Sequence, residues 1–444
     1  MNPYRAVICA GGLLLMLACR LATAAPTPTP TGQVVSPTYR ALPTATETPP
    51  PPEPEPTIVQ PTKAAPLASQ VPRSILPFEA VSSVGDVLTP VAEISGVVAG
   101  ADRWLHADPT GTLWYLTDRG AAEFSEGAWR VRLDGVERQL AGRDNAGRLW
   151  YASKDGADIA AWSEGIWITY TMADGWRPLP ASFYQPVCRG LAADGDGRIW
   201  LQTVQDVRLF DGRVWRVIPH EEMEMNPADD EGLLGSFEVV PVGRGSEVWV
   251  GECDWGGPGP FGGEGVRWFD GMAWRRVGGL LDRACVTVIT EAADGAIWIG
   301  ADSGLWRYDR TEGTWQSYPL PAPPDGFTRY GFVEAMLVDA TGQVWTLLAP
   351  CGGASCYAGY VPYLLSGNEW AQLAPLDGQY IPWLLRSADG GGWLGFAGAV
   401  YRIEGGTVSL VTRLIATQAT VDESSRLWMI ASADDGDWLY MVEP

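Results

Sequence analysis

Short runs of alternating apolar and polar residues follow one another from about residue 100 to residue 440. Turn-forming residues, mostly Asp, Gly and Ser, separate these runs, as in Asp144-Asn-Ala-Gly147-Arg-Leu149-Trp150. Alternation with a period of two is typical of a strand that is buried on one face. No segment shows the apolar spacing of a helix over ten residues, so the pattern predicts an all-β chain.

One motif, Asp-x-x-Gly-x-apolar-Trp, recurs along this region. Clear copies end at Trp114, Trp150, Trp200 and Trp345, and degenerate copies end at Trp249, Trp298, Trp393 and Trp428. The eight tryptophans are 36, 50, 49, 49, 47, 48 and 35 residues apart, a spacing typical of propeller blades. The Asp carboxylate can accept hydrogen bonds from its own turn, and the Gly accepts positive φ. The motif therefore predicts a tight hairpin, with the Trp packed against the neighbouring blade.

A second motif, an aromatic residue, an acidic or Gly turn and then Trp, follows most copies of the first. Examples run from Phe124 to Trp129, from Phe210 to Trp215 and from Phe269 to Trp274. This is a second hairpin, and two hairpins give four strands, a to d, per repeat. We predict a single β-propeller of eight four-stranded blades. Seven blades is the alternative, if Trp393 or Trp428 marks a partial blade.

The last repeat ends at Trp438-Leu-Tyr-Met441, which is the pattern of a strand c, with no strand d after it. An open seam would leave unpaired strand edges. We therefore predict that a segment within Ile75–Ile94 supplies the missing strand and closes the ring.

The repeat resembles the two-component regulator propeller repeat, a blade found in the extracytoplasmic sensing regions of bacterial regulators. The Asp-x-x-Gly-x-apolar-Trp motif carries the resemblance, and Gly304-Leu-Trp-Arg-Tyr-Asp309 is similar to that family's third strand. The resemblance covers about residues 100–440. It implies a propeller that takes part in extracytoplasmic sensing.

The N-terminus has the pattern of an export signal over residues 1–24: Arg5, an apolar stretch from Ala6 to Ala18, then small residues. Met16-Leu-Ala-Cys19 resembles the lipobox of bacterial lipoproteins, which predicts lipidation of Cys19. Ordinary cleavage after Ala24 is the alternative. The expected location is the cell envelope or cell surface, with the chain anchored to the outer leaflet through Cys19.

Residues 25–74 contain 14 prolines and 9 threonines. Proline lacks an amide donor and has a fixed φ, so this stretch is predicted to be an extended, disordered stalk that does not pair into a sheet. The propeller domain is predicted to span residues 75–444.

The formal net charge of −22 excludes nucleic acid as a partner, because such a surface repels phosphate. We expect a monomer that touches the membrane only through its lipid anchor. Beyond the signal, five cysteines remain, an odd number for an oxidising compartment. Cys351 and Cys356 are the first candidates for a disulfide, and Cys253 with Cys285 is the second.

The a–b and c–d hairpins must share one face of the disc, which we call the tight-turn face. The b–c turns and d–a connectors share the other, the variable face, where nearly all variation in loop length falls. Aromatic residues in Gly-rich loops suit the binding of a glycan, a peptide or a partner protein. The candidate binding residues are Trp176, Trp255, Phe261, Tyr330, Tyr357, Tyr360 and Tyr363. The alternative is that these aromatics cap the edge of the core.

No catalytic residue, metal site or cofactor is predicted. The acidic connector from His220 to Glu231 lacks the ligand spacing of a calcium loop, and His106 is interpreted as structural. No nucleophile or metal-binding motif can be assembled from the sequence. A propeller enzyme, either a lyase or a carbohydrate-active enzyme, is the alternative function, and a structural surface protein is a further one.

Overall fold

A computed structural model describes most of the chain. The described residues are 58–59, 86–90, 103–108, 110–178, 188–203, 206–225, 235–241, 245–254, 262–277, 281, 284–352, 355–356, 360–373, 383–396, 398–433 and 436–444. All of them lie within Pro54–Pro444, which forms one compact unit.

The described residues form eight antiparallel sheets, one for each motif that ends in Trp. Strands a to d of blade 1 are Arg103–Ala107, Leu113–Thr117, Gly120–Ser125 and Ala128–Leu133; of blade 2, Arg138–Arg143, Leu149–Ser153, Ile159–Ser163 and Ile166–Tyr170; of blade 3, Cys188–Ala193, Ile199–Thr203, Val207–Phe210 and Trp215–Ile218; of blade 4, Gly235–Pro241, Val248–Asp254, Gly262–Phe269 and Trp274–Arg276. Each sheet has the strand order a-b-c-d.

The second half of the ring repeats this plan. Strands a to d of blade 5 are Val286–Glu291, Ile297–Ala301, Gly304–Asp309 and Thr314–Tyr318; of blade 6, Arg329–Val338, Val344–Gly352, Val361–Ser366 and Glu369–Gln372; of blade 7, Trp383–Arg386, Gly392–Phe396, Ala399–Glu404 and Thr407–Thr412; strands a to c of blade 8 are Ala416–Val421, Leu427–Ala433 and Gly436–Val442. A two-residue strand, Ser355–Cys356, folds back on the end of strand b of blade 6. The prediction of an eight-bladed, all-β propeller is confirmed.

An N-terminal segment closes the ring, as predicted. Asp86–Pro90 is strand d of blade 8 and pairs antiparallel with Gly436–Val442, with Asp86 opposite Met441 and Pro90 opposite Trp438. Proline is tolerated there because strand d is an edge strand and one side of its backbone needs no partner. The register places Asp86 at the tight-turn face, so the chain enters the ring from that face.

The predicted stalk needs one correction. Ile58–Val59 pairs parallel with strand d of blade 5, opposite Trp315 and Gln316. The expectation that residues 25–74 do not pair into a sheet is therefore wrong at these two residues, which lie between Pro56 and Pro61 and carry free amide donors. The remainder of 25–74 and the export signal with Cys19 lie outside the described residues.

The turn aspartate and the tryptophan of each clear motif are joined by a hydrogen bond. In blade 2, one carboxylate oxygen of Asp144 accepts from the amides of Ala146 and Arg148, and the other accepts from Trp150 Nε1 at 2.8 Å. The same Asp–Trp bond occurs in blades 1, 3, 6 and 8 at 2.9–3.2 Å. The six-residue spacing thus ties the a–b turn to strand b.

Each motif tryptophan packs against the hairpin of strands c and d in the next blade. The Trp150 ring lies 5.3 Å from Phe210 and 5.5 Å from Trp215 of blade 3. Across the seam, Trp428 of blade 8 lies 5.9 Å from Phe124 of blade 1. The two sequence motifs are therefore the two halves of one interface between blades.

The two faces differ in their loops as predicted. Strand a is followed by a short turn in every blade, from residues 108–112 in blade 1 to residues 422–426 in blade 8. The d–a connectors instead range from residues 413–415 to residues 171–187. One 3-10 turn, Met172–Asp174, lies in the longest connector. Within the described part of the chain, no helix is long and apolar enough to cross a membrane.

Candidate functional site

Three of the predicted binding aromatics are buried. Trp176 is 1% exposed, and its Nε1 donates to the Gly156 carbonyl at 3.1 Å. Its ring packs against Trp215 and lies under the Arg208 guanidinium at 4.2 Å. Trp176 is therefore a core residue, in line with the alternative that these aromatics cap the edge of the core.

Tyr330 and Tyr363 are also in the core, between blades 5 and 6. Their hydroxyls lie 2.8 Å apart, and the Tyr330 hydroxyl is also 3.3 Å from the Ala322 carbonyl. Burial first, and then the neighbouring phenol, raise the pKa of Tyr330, so both hydroxyls stay protonated. This pair holds a d–a connector against blade 6.

Among the predicted binding residues that the structure describes, Tyr360 remains partly exposed. It lies at the start of strand c of blade 6, on the variable face, and its side chain hydrogen-bonds to Glu334 of strand a. Burial, followed by the negative charge of Glu334, raises the pKa of Tyr360 to about 12. The phenol is therefore the donor and the Glu334 oxygen the acceptor.

Glu334 occupies a β-bulge. Val333 pairs with Leu348 and Ala335 pairs with Leu347, so Glu334 is an extra residue without a partner in strand b. A bulge redirects a side chain relative to the regular pleat. Similar irregularities in strand a occur between Val286 and Val288 in blade 5 and between Ala416 and Gln418 in blade 8.

The Glu334 side chain is open to solvent, yet burial is the largest influence on its pKa. Burial raises that pKa above the usual 4.5, and the hydrogen bond from Tyr360 opposes the rise only in part. Water therefore reaches the carboxylate, while nearby protein atoms displace part of its hydration. Such a carboxylate is accessible to a ligand and incompletely hydrated without one.

An apolar recess opens between blades 7 and 8 on the same face. It is shallow and open to solvent, and its lining includes Trp383, Phe396, Leu414 and Ile415. The Trp383 ring lies where a Cβ on residue 395 would stand, so Gly395 is required for this packing. Tyr360 and Phe396 belong to the same hydrophobic cluster of blades 6 and 7.

A disulfide fixes the variable face over blades 4 and 5. Cys253, at the end of strand b of blade 4, is bonded to Cys285, directly before strand a of blade 5, with 4.2 Å between their Cα atoms. The Cys285 amide donates to Asp302 Oδ1 at 3.2 Å, and burial raises the pKa of Asp302. The second disulfide candidate from the sequence is thus present.

Cys351 is also disulfide-bonded, and its backbone pairs with that of Cys356. The predicted Cys351–Cys356 bond agrees with this register and stays a prediction. Trp255, Phe261 and Tyr357 lie outside the described residues, so their binding role also stays a prediction.

In the described part of the chain, the two histidines and the acidic groups do not form a metal-binding cluster. Among the described residues, no group of three or more His, Cys, Asp or Glu side chains could hold a metal ion. Beside His220, Glu222 forms an ion pair with Arg216 at 2.9 Å. Arg310 pairs with both Glu247 and Glu291, but it lies in the c–d turn of blade 5, on the tight-turn face.

Two residues of this site, Glu334 and Trp383, were missed in the sequence. The signal for Glu334 is its position: it lies five residues before the turn aspartate Asp339, as Thr417 lies before Asp422, and both are bulged residues. Only the recurrence of that bulge across blades makes the position recognisable. Trp383 has no such signal, because it belongs to neither motif.

Comparison with known proteins supports the fold alone. No family model matches the chain, and no curated protein matches it. The Dos1 propeller is 12% identical, with a TM-score of 0.50, over 83% of this chain and 94% of that one. Virginiamycin B lyase from Staphylococcus aureus is 11% identical, with a TM-score of 0.41, over 77% of this chain and 94% of that one.

The solved structures that match also include the extracellular domain of a hybrid two-component system from B. thetaiotaomicron. It is 14% identical, with a TM-score of 0.38, over 83% of this chain but only 39% of that one. At these identities the shared property is the architecture. The chain is similar to β-propellers of several activities.

Proposed function

We propose that this protein is an exported, lipid-anchored β-propeller that binds a glycan, a peptide or a partner protein on its variable face. The observation that carries the proposal is the Tyr360–Glu334 pair, in which a bulge exposes a carboxylate that a tyrosine holds, on the same face as the Trp383 recess. In this proposal the protein acts in extracytoplasmic sensing by binding its ligand and does not catalyse a reaction.

The shape and lining of the recess support a particular kind of contact. The recess is shallow and open to solvent, so a ligand would lie across it rather than enter it. Trp383 offers aromatic surface, and Glu334 accepts hydrogen bonds from hydroxyl or ammonium groups. A ligand that lays a ring or an apolar face over Trp383 and offers a polar group to Glu334 would use both features.

The N-terminal pairing supports the orientation of the proposed site. The chain enters blade 8 at the tight-turn face, and Ile58–Val59 runs parallel to strand d of blade 5, so it also comes from that face. An anchor at Cys19 would then leave the variable face directed away from the membrane. The Cys253–Cys285 disulfide agrees with an oxidising compartment. Replacing Cys19 by Ser should move the protein from the membrane to the soluble fraction, and unchanged fractionation would exclude this anchor.

Binding should be measured with the full chain on glycan and peptide arrays, and then by titration with the best array ligand. Glu334→Gln and Trp383→Ala should each weaken binding at least tenfold, whereas Glu312→Gln, an exposed carboxylate on the tight-turn face, should leave it unchanged. No array ligand at all would favour a structural surface protein. A ligand that binds equally well to the Glu334 and Trp383 variants would place the site elsewhere.

The pH dependence supplies a second readout of the same site. The raised pKa of Glu334 means that its carboxylate is lost, as pH falls, at a higher pH than an ordinary Glu. The affinity for the ligand should therefore fall on acidification, with a midpoint above pH 4.5. The Glu334→Gln variant should bind weakly, with an affinity that does not change over the same pH range. If the affinity of the wild-type protein shows no transition above pH 4.5, this carboxylate does not have the proposed role.

A further inference from the structure

The rim of the propeller is formed by the outer strands d, and each presents one edge of its backbone. Blade 2 has the most apolar of these edges. Its strand d, Ile166–Tyr170, has the sequence Ile-Trp-Ile-Thr-Tyr, and Ile166 is 65% exposed, Trp167 39% and Ile168 50%. Among the described residues, no strand pairs with the outer edge of this strand.

Six of the other seven rim strands carry features that discourage pairing. Charged residues lie in the outer strands of blades 1, 3, 4 and 6: Arg130, Arg132, Arg216, Arg275, Arg276 and Glu369. Blade 5 is covered by Ile58–Val59, and blade 8 ends its outer strand with Pro90. Blade 7 has hydroxyl residues at alternate positions, Thr407 and Ser409. Charge and proline are the usual protection of a sheet edge. The outer strands of blades 2 and 7 have neither, and that of blade 2 is the more apolar of the two.

The blade 2 edge is also held in shape. Trp167 packs edge-on against Tyr151 at 5.8 Å, and Tyr170 stacks on Trp150 in the core. Directly after the strand, Thr171 caps the 3-10 turn Met172–Asp174 and presents Met172 at 71% exposure. The result is an ordered apolar strip whose outer backbone edge pairs with no strand in the described part of the chain.

We propose that strand d of blade 2 accepts an extended segment of a partner polypeptide as a fifth strand. The same molecule shows such an addition on blade 5, where Ile58–Val59 lies beside strand d as a fifth strand. Addition of a strand to a sheet edge is an established mode of peptide recognition, in which the backbone gives affinity and alternate side chains give specificity.

A second copy of this chain is a poorer occupant. A five-residue edge buries far less than the roughly 1,200 Å² that stable protein interfaces need. Two copies would also bring together two chains of net charge −22. An extended segment with apolar residues at alternate positions and basic flanks fits both the strip and the charge.

The test uses the full chain and a synthetic peptide, Lys-Thr-Val-Thr-Val-Thr-Lys, with its backbone-N-methylated analogue as the control peptide. Hydrogen exchange should show protection of Ile166–Tyr170 when the parent peptide is added and no protection with the analogue. The double variant Ile166→Lys/Ile168→Lys should bind the parent peptide at least tenfold more weakly. Val131→Lys, at a 47% exposed position on the outer strand of blade 1, is the matched control and should bind normally.

Protection confined to another strand, or equal binding by the double variant, would overturn the proposal. Absence of binding at millimolar peptide would overturn it as well. Sedimentation gives the remaining outcome: a dimer that the double variant converts to a monomer would assign the edge to a second copy instead. Both lysine replacements lie on exposed positions, so thermal unfolding should confirm that the variant is folded.

Discussion

At the scale of single residues, the turn aspartate has two separate partners. Its Oδ1 accepts from turn amides and its Oδ2 accepts from the tryptophan indole, as Asp194 does for Asp196 and Trp200. In blades 2, 3 and 8 an arginine four residues after the aspartate also donates to Oδ2 and lies over the indole ring. The carboxylate thus fixes both the turn and the side chain that packs on the next blade.

This arrangement predicts a large cost for removing one carboxylate. Asp144→Ala leaves Trp150 Nε1 and two turn amides without their acceptor, and the indole is fully buried. We expect a loss of about 2–3 kcal/mol in the free energy of unfolding, measured by denaturant titration. Asp294→Ala is the control, because Asp294 is 58% exposed and its loss should cost less than about 1 kcal/mol. Equal losses in the two variants would contradict the role of the indole bond.

The burial of single aromatic side chains was the least predictable feature of the candidate site. Trp176 stands in a connector, and Tyr330 and Tyr363 stand in the first halves of strands that begin at the variable face. The sequence there cannot distinguish an aromatic that faces solvent from one that packs in the core. The distinction depends on the neighbouring blade: Arg208 and Trp215 cover Trp176. Glu334 was missed for the converse reason, since only a bulge turns it out of a buried strand.

At the scale of elements, the strands were predictable because each blade repeats two local hairpin signals. Even the degenerate copies at Trp249 and Trp298 form strand b, although blade 5 has Ala292 at the position of the turn aspartate. The added strand Ile58–Val59 was not predictable, since the surrounding prolines dominate the pattern of that segment. A pairing of two residues leaves no periodic signal.

The Cys253–Cys285 disulfide joins elements of two blades and closes a loop with a sequence separation of 32. Replacing both cysteines by Ser should lower the free energy of unfolding by about 2–4 kcal/mol, because the unfolded chain loses a constraint on its entropy. The measurement is denaturant unfolding of the wild type and the double variant. Adding reductant should destabilise the wild type further than the double variant, since the variant has one disulfide fewer to lose. Equal stability of the two unreduced proteins would show that blade packing alone fixes this junction.

At the scale of the whole molecule, the ring depends on one pairing between distant parts of the chain. Asp86–Pro90 supplies the only described partner for the outer edge of Gly436–Val442. The innermost strands of blades 8 and 1 also pack together, and Phe124 contacts Trp428 across the seam. The sequence allowed this closure to be predicted because a repeat that lacks strand d must find one elsewhere.

A series of N-terminal deletions tests this dependence. Removing residues 1–57 leaves every described strand in place, and removing residues 1–85 takes away only Ile58–Val59, so both proteins should unfold near the wild-type temperature. Removing residues 1–90 exposes the edge of Gly436–Val442 and should lower the melting temperature sharply and promote aggregation. The measurements are thermal unfolding and light scattering. A protein lacking residues 1–90 that remains monomeric and equally stable would show that the seam needs no strand d.

The composition of blade 8 also sets the order in which the ring forms. Asp86–Pro90 precedes blade 1 in the sequence, whereas its partner Gly436–Val442 follows blade 7. Blades 1 to 7 consist of contiguous sequence and can each form from local hairpins, whereas blade 8 joins strands from both ends of the ring. Closure is therefore expected after the other blades have formed, and a chain cut between blades 7 and 8 would leave the ring open.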